Sequence, residues 1–112
     1  MTSESAAMTL RAGGCCSLLE EQLDEDQAAD LAHAFAALAD PVRLRLFRMI
    51  AAAGEACSCD LIAPIGKSQP TVSHHTKVLA DAGLITGRKM GRWVMWSVVP
   101  GQVDRVRAAL TP

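Results

Sequence analysis

No apolar run in this sequence approaches the roughly 20 consecutive residues needed to cross a bilayer. The N-terminus lacks the charged-then-apolar pattern of a signal peptide, so the expected location is the cytosol, with no membrane contact. There are no internal repeats and no low-complexity tracts. No phosphate or oxyanion loop occurs, no Cys-x-x-Cys, and no general base beside any cysteine, which argues against a small cysteine-based arsenate or disulfide reductase. The four cysteines present are two close pairs, Cys15-Cys16 and Cys57-Ser58-Cys59. In a cytosolic chain such pairs point to metal binding or redox chemistry before structural disulfides.

A length of 112 residues, half of them apolar, argues for one domain. A core this small makes a partner subunit plausible. The net charge of −1 hides an asymmetry. Residues 1–40 hold eight acids against Arg11 alone, whereas residues 41–112 hold ten Lys or Arg against four acids. A basic C-terminal portion on a near-neutral chain is the electrostatic footprint of a nucleic-acid reader. It also argues against a metal-storage role.

The chain is organised around residues 66–83, which read as a helix capped by Ser68 and stopped by Gly83. Pro70 is tolerated in the first turn, where amides have no intrahelical partner. At helical periodicity Val72, His75, Leu79 and Ala82 share the inward face, and Pro70, Ser73, His74 and Lys77 the outward one. The outward face carries hydroxyls, an imidazole and an ammonium but no carboxylate, and a helix built this way can lie in a DNA major groove.

The other elements fall around it. Residues 1–14 are small and polar and are expected to be mobile; residues 1–24 are expected to be a flexible segment carrying Cys15 and Cys16, with the folded domain over 25–112. Residues 25–39 predict a helix with an acidic first turn and an apolar stripe of Leu31, Phe35 and Leu38, a candidate dimer surface. Asp40-Pro41 restarts the chain as cap and first helical residue, with Val42, Leu46, Met49, Ile50 and Ala53 facing inward up to Gly54. Arg43, Arg45 and Arg48 lie elsewhere on that helix, suited either to phosphates or, more commonly, to intramolecular pairing. A short helix over 57–65 and the turn at Gly66-Lys67 complete a helix-turn-helix. Residues 84–98 read as a two-stranded hairpin with Arg88, Lys89 and Arg92 at or beside its tip, a wing able to grip backbone phosphates. Trp93 and Trp96 read as packing residues. Residues 101–110 form a last helix with Val103, Val106 and Leu110 on one side, a second candidate dimer surface. The expected class is α+β, mainly α.

Several stretches, in order and at the right spacing over about residues 28–110, resemble the ArsR/SmtB family of metal-sensing winged-helix repressors. Asp40-Pro41-Val42-Arg43-Leu44-Arg45-Leu46 is similar to the family's second helix. Ser68-Gln69-Pro70-Thr71-Val72-Ser73-His74-His75 resembles its recognition helix, and Lys77 to Ile85 with Gly91-Arg92-Trp93-Val94 continues into the wing. Thr76 departs from the Leu that the family usually carries. The resemblance implies a homodimer joined through the first and last helices, bound to operator DNA until an inducer lowers its affinity. The groove and phosphate contacts then fall to Ser68, Gln69, Thr71, Ser73, His74, Lys77, Arg88, Lys89 and Arg92, while His75 packs inward.

Glu55-Ala56-Cys57-Ser58-Cys59-Asp60-Leu61 resembles the inducer-binding stretch of the family's arsenic and cadmium/lead sensors, except that Ile62 stands where arsenic sensors often add a third cysteine. Arsenite takes three thiolates in a pyramid, so Cys57 and Cys59 need help from Cys15-Cys16. Cys57 and Cys59 would diverge on a regular helix and can converge only at a frayed helix start. Residues 17–24 span up to about 26 Å when extended, enough to reach Cys57 and Cys59 of the same or the partner chain. Three thiolates suit As(III) or Sb(III) as inducer. All four cysteines would suit Cd(II), Pb(II) or Zn(II). The last helix lacks the His/Asp/Glu set of the family's zinc sensors. A thiol redox switch is the remaining alternative.

Overall fold

A computed structural model describes residues 22–112. Among them the order is α1 (Glu25–Leu38), α2 (Pro41–Ala53), β1 (Ala56–Cys57), α3 (Ser58–Ile65), α4 (Gln69–Asp81), β2 (Ile85–Met90), β3 (Trp93–Val98) and α5 (Pro100–Leu110). This is the mainly helical winged helix-turn-helix that the sequence predicts. No helix among the described residues is long and apolar enough to cross a membrane. Cys15 and Cys16 lie outside the described residues.

The helix starts are fixed by local chemistry. Asp24 and Gln27 cap α1 reciprocally, each side chain accepting the other's amide at 2.7 and 3.0 Å. Asp40 caps α2 by accepting from the amides of Val42 and Arg43 at 3.0 and 3.1 Å, with Pro41 in the first turn. The Arg43 amide is the main reason the Asp40 carboxyl sits below its ordinary value of 3.8, with burial opposing and the Arg43 charge assisting. Ser68 caps α4, its hydroxyl accepting the Thr71 amide at 3.4 Å and donating to the Thr71 hydroxyl at 3.0 Å.

Helix α2 is the centre of the molecule, touching α1, α3, α4, β1 and β3. Leu46, Ile50, Leu61, Leu79 and Leu84 are fully buried around it. Periodicity places most of the core, with three differences. On α4, Thr76 rather than His75 shares the inner face with Val72 and Leu79; Thr76 is 3% exposed and its hydroxyl donates to the Ser73 carbonyl at 3.0 Å. A residue smaller than the family's Leu thus fills the site because its one polar group is satisfied inside its own helix. On α1 the buried stripe is Leu31, Ala34 and Ala37, with Phe35 only half-buried, because alanines let the neighbouring helices come close. On α2, Ala53 is exposed, lying in the last turn beyond the core.

The wing is also one strand larger than predicted. The sheet order is β1-β3-β2, and the two residues of β1 pair antiparallel with β3, Ala56 opposite Trp96 and Cys57 opposite Met95. Strands β2 and β3 are joined by a two-residue turn, Gly91-Arg92, since Met90 pairs with Trp93. Gly91 has φ +63°, the left-handed conformation that such tight hairpins require. Helix α5 buries none of its residues fully and packs its Val106 side on the core, against α1, leaving Leu110 70% exposed.

Candidate nucleic-acid interface and thiol pair

The expected DNA-facing residues of α4 fall on one outward strip. Ser68, Gln69, Ser73, His74 and Lys77 are exposed, and Thr71 is half-buried. Lys77 meets Asp81 one turn on at 3.4 Å, an exposed pair that a phosphate can displace. His75, expected to face inward, is only half-buried at the edge of that face, with its Nδ1 3.4 Å from Nη1 of Arg43. The arginines of α2 turn to intramolecular work. Arg43 donates through Nε to the Ala37 carbonyl at 2.7 Å, and Arg45 donates to the Pro64 carbonyl at 3.1 Å, tying α2 to the ends of α1 and α3.

On the wing, Lys89 and Arg92 are exposed at the turn. Arg88 is exposed too, but its Nη2 donates to Oε2 of Glu55 at 2.9 Å. Trp96 packs against the core and Trp93 is half-buried, consistent with packing rather than stacking on bases. The Trp96 Nε1 is buried with no acceptor among the described residues.

The thiol pair sits where β1 becomes α3. Cys57 is the N-cap, in extended backbone at φ −71° and ψ 139°, and Cys59 lies in the first turn. The change from extended to helical backbone brings together two side chains that a regular helix would splay. Their sulfurs are in direct contact, paired as a disulfide, with the Cα atoms 5.2 Å apart. The Asp60 carboxylate joins them, so that one ligand atom from each of Cys57, Cys59 and Asp60 lies within 4.8 Å of the others. The Cys59 amide, in the first turn of α3, donates to the Cys57 sulfur, and a helix N-terminus favours negative charge there. Reduced to thiolates, the two sulfurs would add two soft donors to the hard Asp60 carboxylate, a set that fits a thiophilic ion with a further ligand from elsewhere.

This cluster is wired into both elements expected to face DNA. Helix α3 leads through Gly66-Lys67 into α4, and β1 is hydrogen-bonded to β3. Ser58, between the two cysteines, accepts the Val94 amide of β3 at 3.3 Å. A sequence reading finds the first link but not the second, because a two-residue strand carries no periodicity. Asp60 and Glu55 were equally hidden, since nothing in one dimension shows what an isolated acid faces.

The family described as bacterial regulatory protein, arsR family, matches residues 40–86. An uncharacterized HTH-type transcriptional regulator of Methanocaldococcus jannaschii is 37% identical over 81 residues, 72% of this chain and 88% of that protein. The arsenical resistance operon repressor of Escherichia coli K12 is 39% identical over 66 residues, 59% of this chain and 56% of that repressor, so the chain spans little more than half of its length. A crystal structure of a possible transcriptional regulator for arsenical resistance superposes with a TM-score of 0.62 at 33% identity, over 67% of this chain and 77% of that one.

Proposed function

Because this chain belongs to the ArsR family of bacterial regulatory proteins, DNA-binding regulators and not enzymes, we propose that it is a dimeric transcriptional repressor that releases its operator when cysteine thiolates bind As(III) or Sb(III). The observation that carries this reading is the convergence of Cys57 and Cys59 at a point joined to both the recognition helix and the wing.

Two recognition helices related by a dimer axis would enter successive major grooves of an inverted-repeat operator. Ser68, Gln69, Thr71, Ser73 and His74 then face base edges or phosphates, Lys77 a phosphate, and Arg88, Lys89 and Arg92 the flanking backbone. Dimerisation through α1 and α5 is supported by the apolar side chains left in the open there, Leu23 just before α1 at 50% exposure and Leu110 of α5 at 70%, and by a groove of about 440 Å³ lined by Leu23, Leu31, Ala108 and Ala109. Cys57 and Cys59 provide two of three thiolates, with Cys15 or Cys16 of the same or the partner chain as the third. Drawing the three together reorients the first turn of α3, and that turn cannot move without straining β1 against β3 and tilting the approach to α4. A coupling of roughly 1–3 kcal/mol suffices for a 5- to 150-fold loss of operator affinity.

The experiment is a titration of the purified protein on labelled operator with As(III), Sb(III), Cd(II), Pb(II) and Zn(II), read as fluorescence anisotropy. Release by As(III) and Sb(III) at lower concentration than by the divalent ions supports the reading. Release by Cd(II), Pb(II) or Zn(II) alone points instead to a site using all four cysteines. A second reading is favoured by the direct pairing of the two sulfurs: peroxide oxidises the two thiols to a disulfide with loss of water, and oxidation replaces ion binding. Mass spectrometry showing that disulfide together with operator release, with arsenite inert, would select it.

A further inference from the structure

Besides the pairing of β1 with β3 and the hydrogen bond from Val94 to Ser58, an ion pair ties the wing to the segment that carries the cysteines. In the sheet order β1-β3-β2, Arg88 lies on the strand farthest from β1, about 10 Å away. Register places Cys57, Met95 and Arg88 in one row on one face of the sheet. Arg88 arches over Met95 to Glu55, two residues before Cys57, and its second arm rests on the Met90 sulfur. The other two cations of the wing, Lys89 and Arg92, make no ion pair among the described residues. The one wing guanidinium occupied by a carboxylate is therefore the one tethered to the sensing segment.

We propose that Glu55 belongs to the DNA interface as an internal carboxylate that occupies Arg88 in place of a backbone phosphate, and thereby sets the affinity of the protein for DNA. This rests on the DNA-binding reading of Arg88 above. A guanidinium offers the same planar fork to a carboxylate as to a phosphate, so the two compete for it directly. The pair is weak enough to be displaced, because Arg88 and Glu55 keep 57% and 44% of their side-chain surface in water. Displacement also has an ionic signature. A free arginine that docks on a phosphate releases a condensed counterion from DNA, whereas an Arg88 that stays on Glu55 leaves that phosphate and its counterion in place. Arg88 is thus nearly silent in the salt dependence of the wild-type protein.

The test is Glu55→Gln, which keeps the shape of the side chain and removes its charge, measured by anisotropy on a short random-sequence duplex over a range of salt concentrations, with no inducer present. Tightening of about two- to fivefold is expected, the scale of an exposed pair. The slope of log affinity against log salt is expected to steepen by about 0.9, one additional phosphate contact. Both changes should vanish in an Arg88→Gln background and be absent from Asp104→Asn, which removes a more exposed ion-paired carboxylate, 65% against 44%, from α5. Equal tightening with and without Arg88 would reduce Glu55 to general repulsion and overturn the proposal, as would an unchanged slope. A wild-type protein with no salt-sensitive DNA affinity would instead remove the DNA reading itself, and the role of Glu55 with it. Because these residues are exposed, near-UV circular dichroism of each variant should match wild type, so a change in binding is not mistaken for unfolding.

Discussion

The amide of Cys59 donates to the sulfur of Cys57 at 3.3 Å, so one thiol serves both as helix cap and as candidate ligand. Serine separates the two roles, being a strong cap and a poor ligand for soft ions. Cys57→Ser should keep stability within about 0.5 kcal/mol in urea unfolding. The same variant should bind DNA normally and fail to release it with As(III). Cys57→Ala should lose both roles, destabilising by up to about 1 kcal/mol. A serine variant that still responds would take Cys57 out of the sensing site.

The N-terminal cysteines are tested in the same assay. Cys15→Ser should abolish release by arsenite and leave DNA binding intact. A normal response, together with a normal response of Cys16→Ser, would show that the third ligand is neither of them.

Trp96 lies across Gly87, and its packing leaves no room for a side chain there. A Cβ on Gly87 would stand 2.9 Å from Cζ3 of Trp96 and 2.7 Å from Cγ1 of Val94. Gly87→Ala should therefore push the indole off the sheet and cost about 1–3 kcal/mol. For a domain of this size each kcal/mol lowers the unfolding midpoint by about 4–8 °C, which a thermal melt resolves. DNA affinity should fall as well, since the displaced residues hold the wing. An unchanged midpoint would mean that the indole slides aside without loss.

Acid should weaken the fold through Asp40. Its carboxyl is held below 3.8 mainly by the Arg43 amide, so its charged form is favoured in the folded state. A group depressed on folding contributes stability above its unfolded value, and that contribution disappears as pH falls through its folded value. Asparagine caps helices without a charge. The stability difference between wild type and Asp40→Asn, measured by urea unfolding, should favour wild type near neutral pH and shrink steadily below the ordinary carboxyl value. A difference that stays constant with pH would assign the effect to shape rather than charge.

Much of this molecule is legible in one dimension because its signals are local. Asp40-Pro41 and Ser68 with Pro70 can start helices wherever they stand, since caps act within one turn. Val72 and Leu79 fall inward because a helix repeats every 3.6 residues. Thr76 was the harder case. Its chemistry says surface, yet it is buried, because its hydroxyl finds a carbonyl within its own helix.

The amino-acid order by itself determined the helices, the caps at Asp40 and Ser68, the hairpin with its basic turn, and the closeness of two cysteines near a helix start. These follow from interactions between residues a few positions apart. Only the tertiary structure decided that Ala56 and Cys57 add a third strand to the wing, that Asp60 stands beside the two sulfurs, and that Arg88 closes on Glu55 across an intervening strand. Glu55 and Arg88 are 33 positions apart, and no periodicity links them. Their meeting depends on the register of three strands, which is settled by how the whole sheet packs against α2 rather than by any segment alone.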